Sequence, residues 1–389
     1  MLENWNQAYN RLTDFITNHS EIRIETSVTR IGEAVSKEFY QLFRVTNEAF
    51  INEQKSDLLK KAEVLSKNYL DVEEEIIRLL GIKRVNLLPR VENFLRNPRE
   101  ELVKELKNPL FNLLKGKIDI TKYKDEALNN LVSYLDLLYQ QGYETWIILT
   151  LMKLLQADKL YRVEADQFDD DELYIHGDYV EIPVQSPKEL TELSFRHYPT
   201  VGIVVADQII HSVKNDHYVS FRLHVIEPKG KAPNKSKKVE WLPLPFDAII
   251  NLGSNIILVY TDKVLGELSL IADSQVIARP DLIIDCIGLT TSFNENSLAN
   301  LKKYTKEFKP RLGTYLIFNQ PILEGEYLKE SNSINVNNAL IQKNRQEKGS
   351  DAIFNGVEIG NVPRETEVDI HLIPVGFDQS KLEQIVILL

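Results

Sequence analysis

The chain has 389 residues, 43% apolar and 26% charged, a composition that supports two or three packed domains and excludes general disorder. A single cysteine, Cys286, excludes an internal disulfide framework and a cysteine-cluster zinc site, and points to a reducing compartment. The net charge of -11 argues against a chain that coats nucleic acid nonspecifically, because that mode needs many phosphates neutralised by Lys and Arg.

The start, MLENWNQAYNRL, shows no basic leader ahead of an apolar core, and no apolar run reaches the roughly 18 residues that suggest a membrane span. The expectation is a cytoplasmic protein with no membrane association. Up to about residue 160 apolar residues recur every three or four positions. In AVSKEFYQLFRVTNEAFI, Val35, Phe39, Phe43 and Phe50 share a stripe, and DLLKKAEVLSKNYLDVEEEIIRLL continues it through Leu58, Ala62, Leu65, Tyr69, Val72 and Ile76. Breaks fall at LLGIKRVNLLPRVENF, at RNPREEL and at KNPLFNLLKGKIDITKY, where proline and glycine interrupt the period. A helix from about Asp125 to Ala157, apolar on several sides around Trp146, is expected at the centre of a bundle. Residues 1–160 are therefore read as a helical assembly domain that engages other protein subunits.

The composition then changes abruptly. Glu164 to Glu181 carries eight acids and no base, and residues 161–182 read as an acidic surface connection. From 183 to 389 the period shifts towards two. TVGIVVADQII, HYVSFRLHVIEP, KKVEWLPLPF, NIILVYTD, GELSLIAD, PDLIIDCIGL, GTYLIFNQ and VDIHLIPVGF are predicted strands, with helices at Glu295 to Phe308 and Ser380 to Leu388. An early antiparallel run is followed by a strand, helix, strand order around residues 280 to 320. The fold class is α+β: an N-terminal helical bundle, then a mixed-sheet α/β domain.

Chemistry concentrates in ARPDLIIDCIGLTTSF. On an extended strand Asp281, Ile283, Asp285 and Ile287 share one face, and two carboxylates there can hold a divalent cation such as Mg²⁺ through oxygen ligands. The following helix is basic, with Lys302, Lys303, Lys306, Lys309 and Arg311, and leads to the apolar strand GTYLIFN. The words RPD and IID, with this order of acidic strand, basic helix and second strand, resemble the core of the PD-(D/E)XK nuclease superfamily over about residues 260–320. That resemblance implies a metal-dependent endonuclease fold, with Asp285 as the second acid and Asp281, Asp273 or Glu267 as the first, the pair Asp281 and Asp285 being the candidate metal ligands, and a setting in DNA processing or prokaryotic anti-phage defence. The superfamily places a lysine two residues after the second acid. Ile287 stands there instead, so either Lys302 or Lys303 supplies the amine from the helix, or the domain keeps the fold without the cleavage chemistry.

Two basic stretches are candidate DNA contacts: KGKAPNKSKK, with Lys229, Lys231, Lys235, Lys237 and Lys238, and the helix end with Lys306, Lys309 and Arg311. Competing readings are a non-catalytic scaffold or adaptor subunit, favoured by the missing lysine, and a nucleotide-sensing domain, suggested by strands ending in Asp207, Asp285, Asn319 and Asp378. His211, His217 and His224 have spacings of six and seven, which do not make a helical metal pair, and are expected on a hairpin. PFDAIINLGSNIILVYTDK reads as a hairpin with a Gly-Ser turn. Serine-hydrolase, zinc-protease and common nucleotide-binding signatures are absent from the sequence.

Overall fold

The structure is a computed structural model that describes residues 4–162, 187–195, 203–205, 208–223, 241–243, 256–268, 270–273, 276–289, 295–319 and 370–389. It is a mixed α and β fold, with an N-terminal helical region and a mixed sheet. The chain divides into two compact units, one made of residues 1–74 and 86–146, the other of 75–85 and 147–389. No helix among the described residues is long and apolar enough to cross a membrane.

The helical region runs through α1 (Trp5–Asn18), the short strands β1 (Ile22–Ile24) and β2 (Thr29–Ile31), α2 (Glu33–Leu80), the two-residue strand β3 (Val85–Asn86), α3 (Pro89–Arg96), α4 (Pro98–Glu105), α5 (Lys107–Leu114) and α6 (Ile120–Leu154). Asn4 caps α1 by accepting the Gln7 N–H, while the Gln7 side chain accepts the Asn4 N–H in return. Pro89 and Pro98 open α3 and α4, where the missing N–H has no helical partner to lose. The helical stretch between residues 33 and 80 is two helices joined at a kink, with neither glycine nor proline between them. It kinks at Lys55, whose φ of -143° and ψ of 36° leave the helical region. Arg99 of α4 spans that kink, donating to Asn52 before it and to Glu63 after it.

In the core of this unit Trp5 stacks on Tyr123 at 5.2 Å and meets Phe50 edge-on. Glu73 is buried but paired, receiving Arg96 at 2.6 Å and the Tyr69 hydroxyl at 3.0 Å. Gly142 lets α6 approach closely: a Cβ there would lie 2.9 Å from Leu95 and 3.2 Å from Leu65.

In the second unit the strands are β4 (Ala157–Arg162), β5 (Lys188–Glu189), β6 (Leu193–Ser194), β7 (Ile203–Val205), β8 (Gln208–Ser212), β9 (His217–Leu223), β10 (Trp241–Pro243), β11 (Ile256–Asp262), β12 (Leu270–Asp273), β13 (Val276–Ala278), β14 (Leu282–Ile287), β15 (Gly313–Phe318) and β16 (Ile370–Pro374). Helix α7 (Glu295–Phe308) joins β14 to β15, and α8 (Glu383–Val386) follows a 3-10 turn at Gln379–Leu382. The segment read as one strand at 200–210 divides into β7 and β8, and GELSLIAD opens with a 3-10 turn at Leu265–Leu268 before β12. The helix expected over 380–388 is shorter and begins as that 3-10 turn.

Eight strands form the main sheet, in the order β16-β15-β14-β11-β9-β8-β4-β5. From β5 to β14 every pairing is antiparallel, whereas β14, β15 and β16 are parallel. The change falls at β14, where α7 carries the chain back to start a neighbouring parallel strand. Four further strands form a second sheet in the order β10-β13-β12-β7. All six residues of β14 are buried, which explains its apolar character on both sides of Asp285. On one face Ile283 and Ile287 join a cluster with Leu258 of β11, Leu316 of β15 and the inward residues Leu301, Tyr304 and Phe308 of α7.

Candidate functional site

The two aspartates of the sequence motif occupy different surroundings. Asp285 lies inside β14, opposite Ile256 on one side and Leu316 on the other, on the face that α7 covers. Only 8% of it is exposed. Burial among apolar neighbours pushes its carboxyl up to about 7, against the pull of the Cys286 N–H that it accepts. At neutral pH this side chain is divided between its neutral and charged forms.

Asp281 lies one residue ahead of β14 and is 4% exposed. Its Oδ2 accepts the Thr261 N–H at 2.6 Å and the Thr261 hydroxyl at 2.9 Å, and its Oδ1 faces Arg311 Nε at 2.9 Å. The main chain holds the same place: the Asp281 N–H donates to Val259, its carbonyl accepts the Leu312 N–H, and the Arg311 N–H donates to Pro280. Both carboxylate oxygens are thus committed within the protein, which removes the desolvation cost of burying the charge alone.

The strand spacing keeps the two carboxylates apart. Four residues of extended chain span about 13 Å, whereas two oxygens on one cation lie within about 5 Å of each other. Asp281 also turns to Thr261 and Arg311, so the geometry does not bring it and Asp285 together as ligands of one Mg²⁺. Among the described residues no three His, Cys, Asp or Glu side chains form a group able to hold a metal ion.

The helical lysines also lie away from Asp285. Leu301, Tyr304 and Phe308 occupy the buried side of α7, which leaves Lys303 and Lys306 exposed and Lys302 half-buried on its flank. Neither Lys303 nor Lys306 is placed to supply an amine beneath the helix. Lys309, just past the helix, is exposed and has a φ of 44°. Its carbonyl accepts the Nε of Arg279. Lys303 and Lys306 are thus exposed on α7, and Lys309 and Arg311 on the segment between its end and β15. Lys229, Lys231, Lys235, Lys237 and Lys238 lie outside the described residues.

The remaining candidates have local roles. His211 and His217 sit in the β8–β9 hairpin, as their spacing suggests. His211 Nδ1 is 2.7 Å from Asp158, and His217 Nδ1 is 3.1 Å from the Asn215 carbonyl. Asp262 accepts the Val264 N–H in a turn, and Asp378 accepts from Ser380. Asn319 is buried at the end of β15, where its N–H donates to Ile287. His224, Asp207, the acidic segment and the proposed Gly-Ser turn lie outside the described residues. Thr261 and Arg279 carry contacts that the local sequence does not signal, because each is joined to its partner by sheet register or by the return from α7.

No family model, curated protein or solved structure matches this chain.

Proposed function

We propose that the chain is a nucleic-acid-associated component of a multi-protein assembly, with a nuclease-like sheet that does not cleave DNA through the Asp281–Asp285 pair. The observation that carries this reading is the division of charge around β14. Asp281 is consumed by Thr261 and Arg311, while Lys303, Lys306 and Lys309 remain exposed at the end of α7. A metal-dependent phosphodiesterase needs an ion held by converging carboxylates and a group that activates water. A backbone-binding surface needs only exposed cations at suitable spacing. The second requirement fits these residues better. It is compatible with a net charge of -11 because the cations are local, whereas the largest acidic excess lies in residues 164–181.

The setting in DNA processing or anti-phage defence rests on the resemblance of the RPD and IID words. The direct test is a duplex-DNA gel shift at low salt beside a cleavage assay with Mg²⁺ or Mn²⁺. Retarded but uncut DNA supports the proposal. Cleavage lost in Asp285→Ala would overturn the non-cleaving assignment, and absence of any retardation would favour a scaffold that works through protein contacts alone.

A further inference from the structure

In the Asp281–Arg311 pair the acid is buried while the base reaches solvent, an asymmetry that the Glu73–Arg96 pair shares. The aspartate side chain is 6% exposed, but that of Arg311 is 46% exposed. The guanidinium uses Nε to meet Asp281, and neither Nη forms a hydrogen bond among the described residues. Its backbone is fixed as well, since the Arg311 N–H donates to Pro280 and the next N–H, of Leu312, donates to Asp281. Much of the entropy a free arginine would lose on gripping a ligand is thereby removed beforehand.

Lys309 lies two residues earlier and Lys306 three before that, both exposed. The carbonyl end of α7 disfavours an anion by roughly half a unit charge and Asp281 offsets the charge of Arg311, so Lys306 and Lys309 supply the positive excess. We infer that Arg311 is a preorganised contact for a DNA backbone phosphate and that Asp281 is its positioning residue. The outer edge of the guanidinium presents two N–H donors to two phosphate oxygens, and Lys306 and Lys309 add charge along the same backbone. This inference rests on the nucleic-acid reading above and assigns to Asp281 a task other than metal binding.

The test measures binding of a short labelled duplex to the full chain by fluorescence anisotropy over a salt series, with thermal unfolding alongside. Arg311→Lys keeps the charge but loses the fork, so affinity should fall about tenfold while the salt slope stays near that of the parent. Arg311→Ala should fall at least as far and lose about 0.9 from the slope. Asp281→Asn should weaken binding with the fold retained. If that variant fails to fold, Arg311→Lys still decides the matter. Parent-like affinity in Arg311→Lys would overturn the inference while leaving DNA association intact. Lower thermal stability without weaker binding would make the pair structural only. A parent chain that binds no duplex at low salt would overturn the underlying functional reading as well.

Discussion

Replacing Asp285 by Asn should stabilise the protein increasingly as pH rises. The carboxyl is held among Ile256, Ile283 and Leu316, and its folded-state value of about 7 stands above the ordinary carboxylate value of 3.8. Between those values the unfolded chain gives up the proton while the folded chain keeps it. Stability is therefore lost as pH rises through this window, by up to about 4 kcal/mol in all, and levels off above the folded value. Asn cannot ionise and can still accept the Cys286 N–H. Any fixed cost of the substitution is the same at each pH, so the change in the difference isolates the carboxyl. Urea unfolding of parent and variant at about pH 5 and about pH 8 should show the variant's relative stability grow by about 2 to 3 kcal/mol. A difference constant across the range would refute the assignment of a raised value to this buried group.

Three other substitutions probe separate parts of the fold and surface. Tyr260→Phe removes a buried hydroxyl that has no hydrogen-bond partner among the described residues, so its thermal midpoint should equal or exceed that of the parent; a loss beyond about 1 kcal/mol would contradict this. Arg96→Met leaves Glu73 buried with only the Tyr69 hydroxyl beside it, and chemical unfolding should show a loss of about 2 kcal/mol, reduced from a fully buried pair because Arg96 is half-exposed. Thr261→Val keeps the N–H bond to Asp281 but deletes the hydroxyl bond; a loss of about 1 kcal/mol is expected, with weaker DNA binding if that contact helps to hold Arg311 in place.

The sequence reveals α7 well because Leu298, Leu301, Tyr304 and Phe308 recur along one side between clear breaks, and Glu295–Phe308 is the span observed. It also reveals β11 and β14, whose largely apolar runs are what strands buried on both faces require. The break in α2 is less legible, since the apolar stripe continues and neither glycine nor proline marks Lys55, where the backbone leaves the helical region. At the candidate site, alternation places Asp285 on the face shared with Ile283, but it cannot show that Asp281 belongs to Thr261 and Arg311. Those partners lie 20 and 30 positions away, and are delivered by the β11–β14 register and by the return from α7 to β15. Local sequence contains neither distance. An acidic pair that suggests metal binding therefore separates into a buried titratable group and an arginine anchor.

The most direct test of the nucleic-acid role is the salt dependence of duplex-DNA binding by the full chain and by a Lys303→Ala, Lys306→Ala, Lys309→Ala triple variant. Binding by the parent should weaken steeply as salt rises, and the triple variant should bind more weakly with a slope reduced by about 2 to 3, since each lost phosphate contact removes about 0.9. No binding by the parent at low salt, or the same slope in both proteins, would contradict the claim that the end of α7 is a nucleic-acid surface.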